Sequence, residues 1–163
     1  MKYARLLFIF ALSIAGCASQ PVAKMTPLEI QSLQTRQFEE QKDVVFPSVM
    51  SVFLDLGYTV ESADKDTGFI RAQGAATTES ASNLLLFLLD VDKELSSEVS
   101  QTAATAFIEE IGGSTQVRLT FVQSTKRYDS RSVDRKDKPI LDAQVYQNAF
   151  EKISNEVFVR SAK

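Results

Sequence analysis

The periodicities of this chain predict an α+β fold: an antiparallel sheet with two helices on one face. Three observations carry the prediction. Apolar residues recur at helical spacing in two separate segments, they alternate at strand spacing between those segments, and Gly112-Gly113 marks the centre of a hairpin. The predicted order is β-α-β-β, a long connection, then β-β-α.

Residues 34–41, around Phe38, read as a modest first strand. Val45, Val49, Val52, Phe53 and Leu56 then follow at i, i+4, i+7, i+8 and i+11, one stripe of an amphipathic helix. Asp43 is the expected N-cap, Gly57 suits the left-handed position that ends a helix, and Pro47 disturbs the first turns. Leu54 lies off the stripe. Residues 58–61 and 69–73 read as two strands joined by Ser62-Ala63-Asp64-Lys65-Asp66-Thr67-Gly68, a polar run of turn formers.

The second hairpin is the clearer one. Residues 103–110 and 115–125 flank Gly112-Gly113-Ser114, and Val117, Leu119 and Phe121 alternate with Gln116, Arg118 and Thr120, so one face is buried and the other wet. The charged stretch 126–138 reads as a loop, either solvated or touching phosphate headgroups or acidic partner surfaces. Tyr146, Ala149, Phe150, Ile153 and Val157 form the last helical stripe, with Asp142 as its N-cap. Two helices on one face of an antiparallel sheet satisfy both stripes.

The N-terminus carries a different kind of signal. Lys2 and Arg5 precede an apolar stretch from Leu6 to Leu12, too short to span a bilayer, and Ile14-Ala15-Gly16-Cys17 follows. This segment resembles a bacterial lipoprotein signal peptide with its lipobox. The resemblance implies cleavage before Cys17, a diacylglyceryl thioether on its sulfur and acylation of its new amino group. The alternative is a secretory signal followed by an incidental thiol. On the lipoprotein reading, residues 1–16 are removed, 17–33 are the lipidated cysteine and a tether, and 34–163 are one α+β domain. The tether holds Pro21 and Pro27 and spans at most about 50 Å. Ala18, rather than Asp, after the cysteine favours the outer membrane, with the domain on its periplasmic face.

Composition bounds the function. The chain has 163 residues, 44% of them hydrophobic and 24% charged, which is a globular balance. Its net charge is −3, and about −5 once Lys2 and Arg5 leave with the signal, so nucleic acid is not an expected partner. There is no histidine, and the one cysteine is expected to carry lipid. That removes the commonest general base, thiol catalysis, thiolate metal sites and intramolecular disulfides. No cofactor is expected. Glu39-Glu40 and Glu109-Glu110 are neighbours in predicted strands, so their side chains point to opposite faces and cannot act on one bond. Asp64-Lys65-Asp66-Thr67-Gly68 is read as a solvated turn, because its glycine comes one position early for a calcium loop.

Most of the mature domain is similar to a group of small, poorly characterised bacterial lipoproteins, and more distantly to the compact α+β domains of envelope-assembly lipoproteins such as those of the β-barrel assembly machine. The residues that carry the similarity are Thr35-Arg36-Gln37-Phe38, Val52-Phe53-Leu54-Asp55-Leu56-Gly57-Tyr58, Thr67-Gly68-Phe69-Ile70, Val117-Arg118-Leu119-Thr120-Phe121 and Tyr146-Gln147-Asn148-Ala149-Phe150-Glu151-Lys152-Ile153-Ser154. The resemblance implies a fold and an envelope location, and brings no catalytic residue.

Leu84-Leu85-Leu86-Phe87-Leu88-Leu89, inside the long connection, is the strongest apolar run after the signal. It reads either as a short helix packed on the sheet or as an exposed element that docks on a partner protein, a second copy or the lipid interface. With Leu54 it makes the candidate partner surface. The function expected is therefore a lipid-anchored, non-enzymatic periplasmic domain that binds another envelope component as an accessory or scaffold in assembly, secretion or maintenance. The alternative is a carrier that encloses an apolar ligand between sheet and helices.

Overall fold

The computed structural model describes residues 25–79, 97–128 and 132–162. The elements run α1 (Pro27–Gln34), β1 (Thr35–Phe38), α2 (Lys42–Asp55), β2 (Tyr58–Asp64), β3 (Phe69–Gly74), β4 (Thr77–Glu79), β5 (Ser97–Ile111), β6 (Ser114–Tyr128), β7 (Val133–Pro139) and α3 (Ala143–Ser161). The fold is α+β. Its sheet has the order β1-β6-β5-β3-β2, with β4 also on β5 and β7 also on β6, and every pairing is antiparallel.

The spine is the β5–β6 hairpin. Gly112 and Gly113 have φ of 62° and 87°, the two positive values that a two-residue type I′ connection requires, and Ile111 faces Ser114 across it. From there fifteen residues on each arm pair without a break in register. Each outer edge of this hairpin is covered by two short strands placed end to end. On β5 these are β3 and β4, and on β6 they are β1 and β7.

In the half of the sheet near the glycine turn, alternation puts Ile70 and Ala72, Ala104, Ala106 and Ile108, and Val117, Leu119 and Phe121 on one face. All are buried in a single core with Val45, Val49, Val52 and Phe53 of α2 and Tyr146, Phe150, Ile153 and Val157 of α3. Phe121 meets rings from both helices: Phe53 at 6.5 Å and Tyr146 at 5.2 Å between centroids, both edge-on. Ala72 and Ala104, side by side in the same row, leave depth for these rings. Arg36 crosses the Phe150 ring at 4.8 Å from its centroid, so a cation at the sheet edge is spent on the core's rim.

Between β1 and β7 the edge of β6 is briefly unpaired at Phe121. Ile140 N–H donates to Phe121 O at 2.9 Å, and Phe121 N–H donates to the Tyr146 hydroxyl at 3.4 Å, which also accepts from Gln34 Nε2 at 3.4 Å. A buried side chain thus completes the ladder. Tyr146→Phe, which keeps the ring and removes the acceptor, is expected to cost about 1 kcal/mol, since both bonds are long but leave buried donors unpaired. A chemical-denaturation midpoint equal to the wild type's would refute this role.

Several expectations are corrected. Residues 27–33 of the span read as tether, together with Gln34 of the expected first strand, are helical. Thr26 and Glu29 form a reciprocal capping box, with Thr26 N–H donating to Glu29 Oε2 at 2.6 Å and Pro27 at the first helical position. The Glu29 carboxyl is held below its ordinary range mainly by that backbone bond. The cap of α2 is Gln41 rather than Asp43, and its side chain makes no capping hydrogen bond. Instead Glu110, reaching from β5, accepts from Lys42 N–H at 3.2 Å, and Asp43 pairs with Lys65 at 2.8 Å. The first strand is shorter than predicted, and Glu39 and Glu40 lie beyond it. The stretch read as a charged loop is mostly strand: β6 continues to Tyr128 and β7 occupies Val133–Pro139. Every residue of β7 is exposed, so no alternation of apolar and polar residues marks it in the sequence.

Candidate interaction surfaces

Beyond the core, the hairpin goes on as a four-stranded wing in the order β4-β5-β6-β7, built from residues 77–79, 98–103, 122–128 and 133–139. None of its described side chains is buried. Its strands are held by ladder bonds and short polar contacts. Gln101 Nε2 donates to Gly74 O at 3.0 Å, where the edge passes from β3 to β4, and Gln123 Nε2 donates to Ser100 Oγ at 3.0 Å. The outer strand β7 mixes acids and bases and ends at Pro139, a composition that discourages a further strand from adding.

One face of the wing forms a cleft of about 410 Å³ lined by Glu98, Gln123, Thr125, Arg127, Asp134, Lys136 and Lys138. The register explains the set: Glu98, Arg127 and Asp134 share one row, Thr125 and Lys136 the next, and Gln123 and Lys138 the third. Arg127 and Glu98 pair at 3.2 Å, whereas Lys136 and Lys138 have no ion pair among the described residues. The cleft is therefore positive at its core-proximal end, in a chain whose net charge is −3. On the opposite face Asp137 is held below its usual range, first by a Ser124 hydroxyl bond and then by Arg135 at 3.0 Å.

A second cleft, of about 310 Å³, lies between the start of α2 and the end of α3, lined by Asp43, Val44, Pro47, Glu156, Val159 and Arg160. Arg160 bridges the two helices, donating to Ser51 Oγ at 2.7 Å and pairing with Glu156 at 2.9 Å. Neither cleft is lined by the buried residues of the sheet.

The third surface is the sheet face turned away from the helices, where Phe69 and Phe107 stand opposite each other, 39% and 43% exposed. Phe69 follows the turn at 64–68. There Asp64 Oδ1 accepts from Asp66 and Thr67 N–H at 2.9 and 3.3 Å, and Thr67's bonds are the main reason its carboxyl lies below the usual range. Residues 64–67 of this turn are exposed.

Of the residues singled out in the sequence, Cys17 and Leu84, Leu85, Leu86, Phe87, Leu88 and Leu89 lie outside the described residues. Leu54 is on α2, 55% exposed and apart from the core, as its position off the stripe implies. Glu109 and Glu110 point to opposite faces of β5, with Glu110 committed to α2. Among the described residues no cluster of three His, Cys, Asp or Glu is placed to hold a metal ion, and no helix is long and apolar enough to cross a membrane. The wing and the exposed phenylalanine pair escaped the sequence reading. The phenylalanine pair exists only where β3 docks on the distant β5, and the outer strand of the wing carries no apolar alternation to mark it.

What fold and surfaces define is a sheet-and-helix domain whose distinguishing features are broad strand surfaces. No protein-family model matches the chain, and no curated protein does. Among solved structures it is similar to a DUF4468 family protein from Bacteroides ovatus ATCC 8483, with a TM-score of 0.39 and 9% identity over 76% of this chain and 84% of that one.

Proposed function

We propose that this protein is anchored to the periplasmic face of the bacterial outer membrane by acylated Cys17, and binds another envelope component without catalysing a reaction, as an accessory or scaffold in envelope assembly, secretion or maintenance. The observation that carries the reading is the wing. Ordering a residue's backbone costs about 1–2 kcal/mol, normally offset by burial, and the wing orders four strands without burying one described side chain. Structure maintained at that cost is suited to presenting a surface. Lys136 and Lys138 give that surface a positive end for an acidic patch on the bound component. Two acyl chains hold such a domain stably on a membrane, and the nine residues from Cys17 to the cap of α1 keep it within about 30 Å of the anchor.

The test uses the full chain in its own membranes, with a photo-crosslinking residue at 136 on the wing or at 152 on the exposed side of α3. A discrete adduct is expected from 136 and not from 152. Cys17→Ser should abolish both fatty-acid labelling and the adduct, and Lys138→Glu should weaken it. Equal adducts from both positions, or labelling that survives Cys17→Ser, would overturn the proposal.

A further inference from the structure

We propose that the open face of the sheet is the interface of a two-fold dimer of this chain, centred on one cross-strand row: Arg118, Phe107, Phe69 and Asp64. This goes beyond the binding role of the wing and uses a different surface.

The row follows from register. Arg118 on β6 faces Phe107 on β5, Phe107 faces Phe69 on β3, and Phe69 faces Asp64 on β2. Directly opposed residues share a face, and the neighbours along each strand, Leu119, Ala106 and Ile70, are buried under the helices. All four side chains of the row therefore belong to the open face. At about 4.8 Å between strands the row is roughly 14 Å long, cationic at one end, aromatic in the middle and anionic at the other.

Such a row complements a copy of itself. When two sheets stack face to face about a two-fold axis parallel to the strands and passing between Phe69 and Phe107, each Phe107 meets the other copy's Phe69. Each Arg118 then meets the other copy's Asp64. Four phenylalanine rings, flanked by two charge pairs, fill the gap of about 10 Å between the sheets. In the row of Arg71 and Thr105, the same operation sets Arg71 against Thr105, so no like charges meet there. A two-fold axis across the strands would instead oppose Arg118 to Arg118 and Asp64 to Asp64. Charge complementarity thus selects a single arrangement.

Around the row, β6, β5, β3 and β2 lie side by side over the six residues of β3, a patch about 20 Å long and about 19 Å wide.

The experiment is sedimentation of the lipidated full chain in detergent micelles, with thermal melting of each variant to establish that it folds. A dimer is expected, and Arg118→Asp or Phe107→Ser should each weaken it about tenfold or more while melting like the wild type. Orientation is read with a short bis-maleimide. One copy with Arg118→Cys and another with Asp64→Cys should crosslink to each other, and neither variant should crosslink to itself. A purified chain that stays monomeric, a dimer indifferent to both substitutions, or self-crosslinking of the Arg118→Cys chain would overturn the proposal. So would crosslinks from position 107 in membranes that run only to a different protein.

Discussion

Gly68→Ala is expected to destabilise the domain by about 3–5 kcal/mol. Two independent costs fall on the same atom. Gly68 has φ of +77°, a conformation in which an L side chain costs about 1–3 kcal/mol. A Cβ there would also lie 1.9 Å from Ile108 O, a backbone atom that cannot turn aside, and 3.2 Å from Lys42 Nζ. The approach is close because Gly68 O accepts from Ile108 N–H at 2.9 Å, locking the turn to β5 at the position where α2 begins through Lys42, whose Nζ donates to Asp66 O at 3.0 Å. Displacing that carbonyl would disturb β3, β5 and α2 together. Gly57 has a φ of +81° with open space around its missing Cβ, so Gly57→Ala isolates the backbone part and should cost about 1–2 kcal/mol. Equal losses for the two variants in urea denaturation would mean that the contact with Ile108 contributes nothing.

Phe53→Ala and Phe150→Ala are each expected to cost about 3–5 kcal/mol, the range for removing a buried aromatic ring. Phe53 is fully buried and touches the rings of both Tyr58, at 6.0 Å, and Phe121, at 6.5 Å, so its removal opens the layer between α2 and the sheet. Phe150 is 2% exposed and lies under the Arg36 guanidinium. Its loss would also remove the surface over which that cation rests. A change below about 1 kcal/mol in either variant would contradict the packing described, because surface positions alone lose so little.

Where a segment has one wet side and one dry side, its place was readable from the residues. Tyr146, Ala149, Phe150, Ile153 and Val157 repeat at helical spacing and are all buried, Asp142 caps their helix by accepting from Gln144 N–H at 2.8 Å, and Val117, Leu119 and Phe121 alternate and are buried too. β7 was unreadable for the converse reason: Val-Asp-Arg-Lys-Asp-Lys-Pro is wet on both sides, and pairing with β6 alone makes it a strand. The helix at 27–34 did leave a mark, Thr26-Pro27-Leu28-Glu29, which is a capping-box pattern with proline at the first helical position. It went unread because only a weak apolar periodicity follows it. The cap of α2 was misplaced because its partner, Glu110, is sixty-eight residues away. The surfaces were harder still. Phe107 opposite Arg118 follows by counting outward from the glycine turn, but Phe69 opposite Phe107 exists only once β3 has docked on β5.

The hairpin that spans core and wing places two thermodynamic regimes on one pair of strands. Amides at 104–108 and 117–121 lie over the buried layer, and their ladder opens only when the whole domain opens. Those at 98–102 and 123–127 have no such layer, so their ladder can separate while the rest of the protein stays folded. Anything that grips the wing would then raise the opening free energy of the distal arms alone, by an amount set by its own affinity and concentration. Occupancy of the surface would thus be written into the protection of a few backbone amides far from the core.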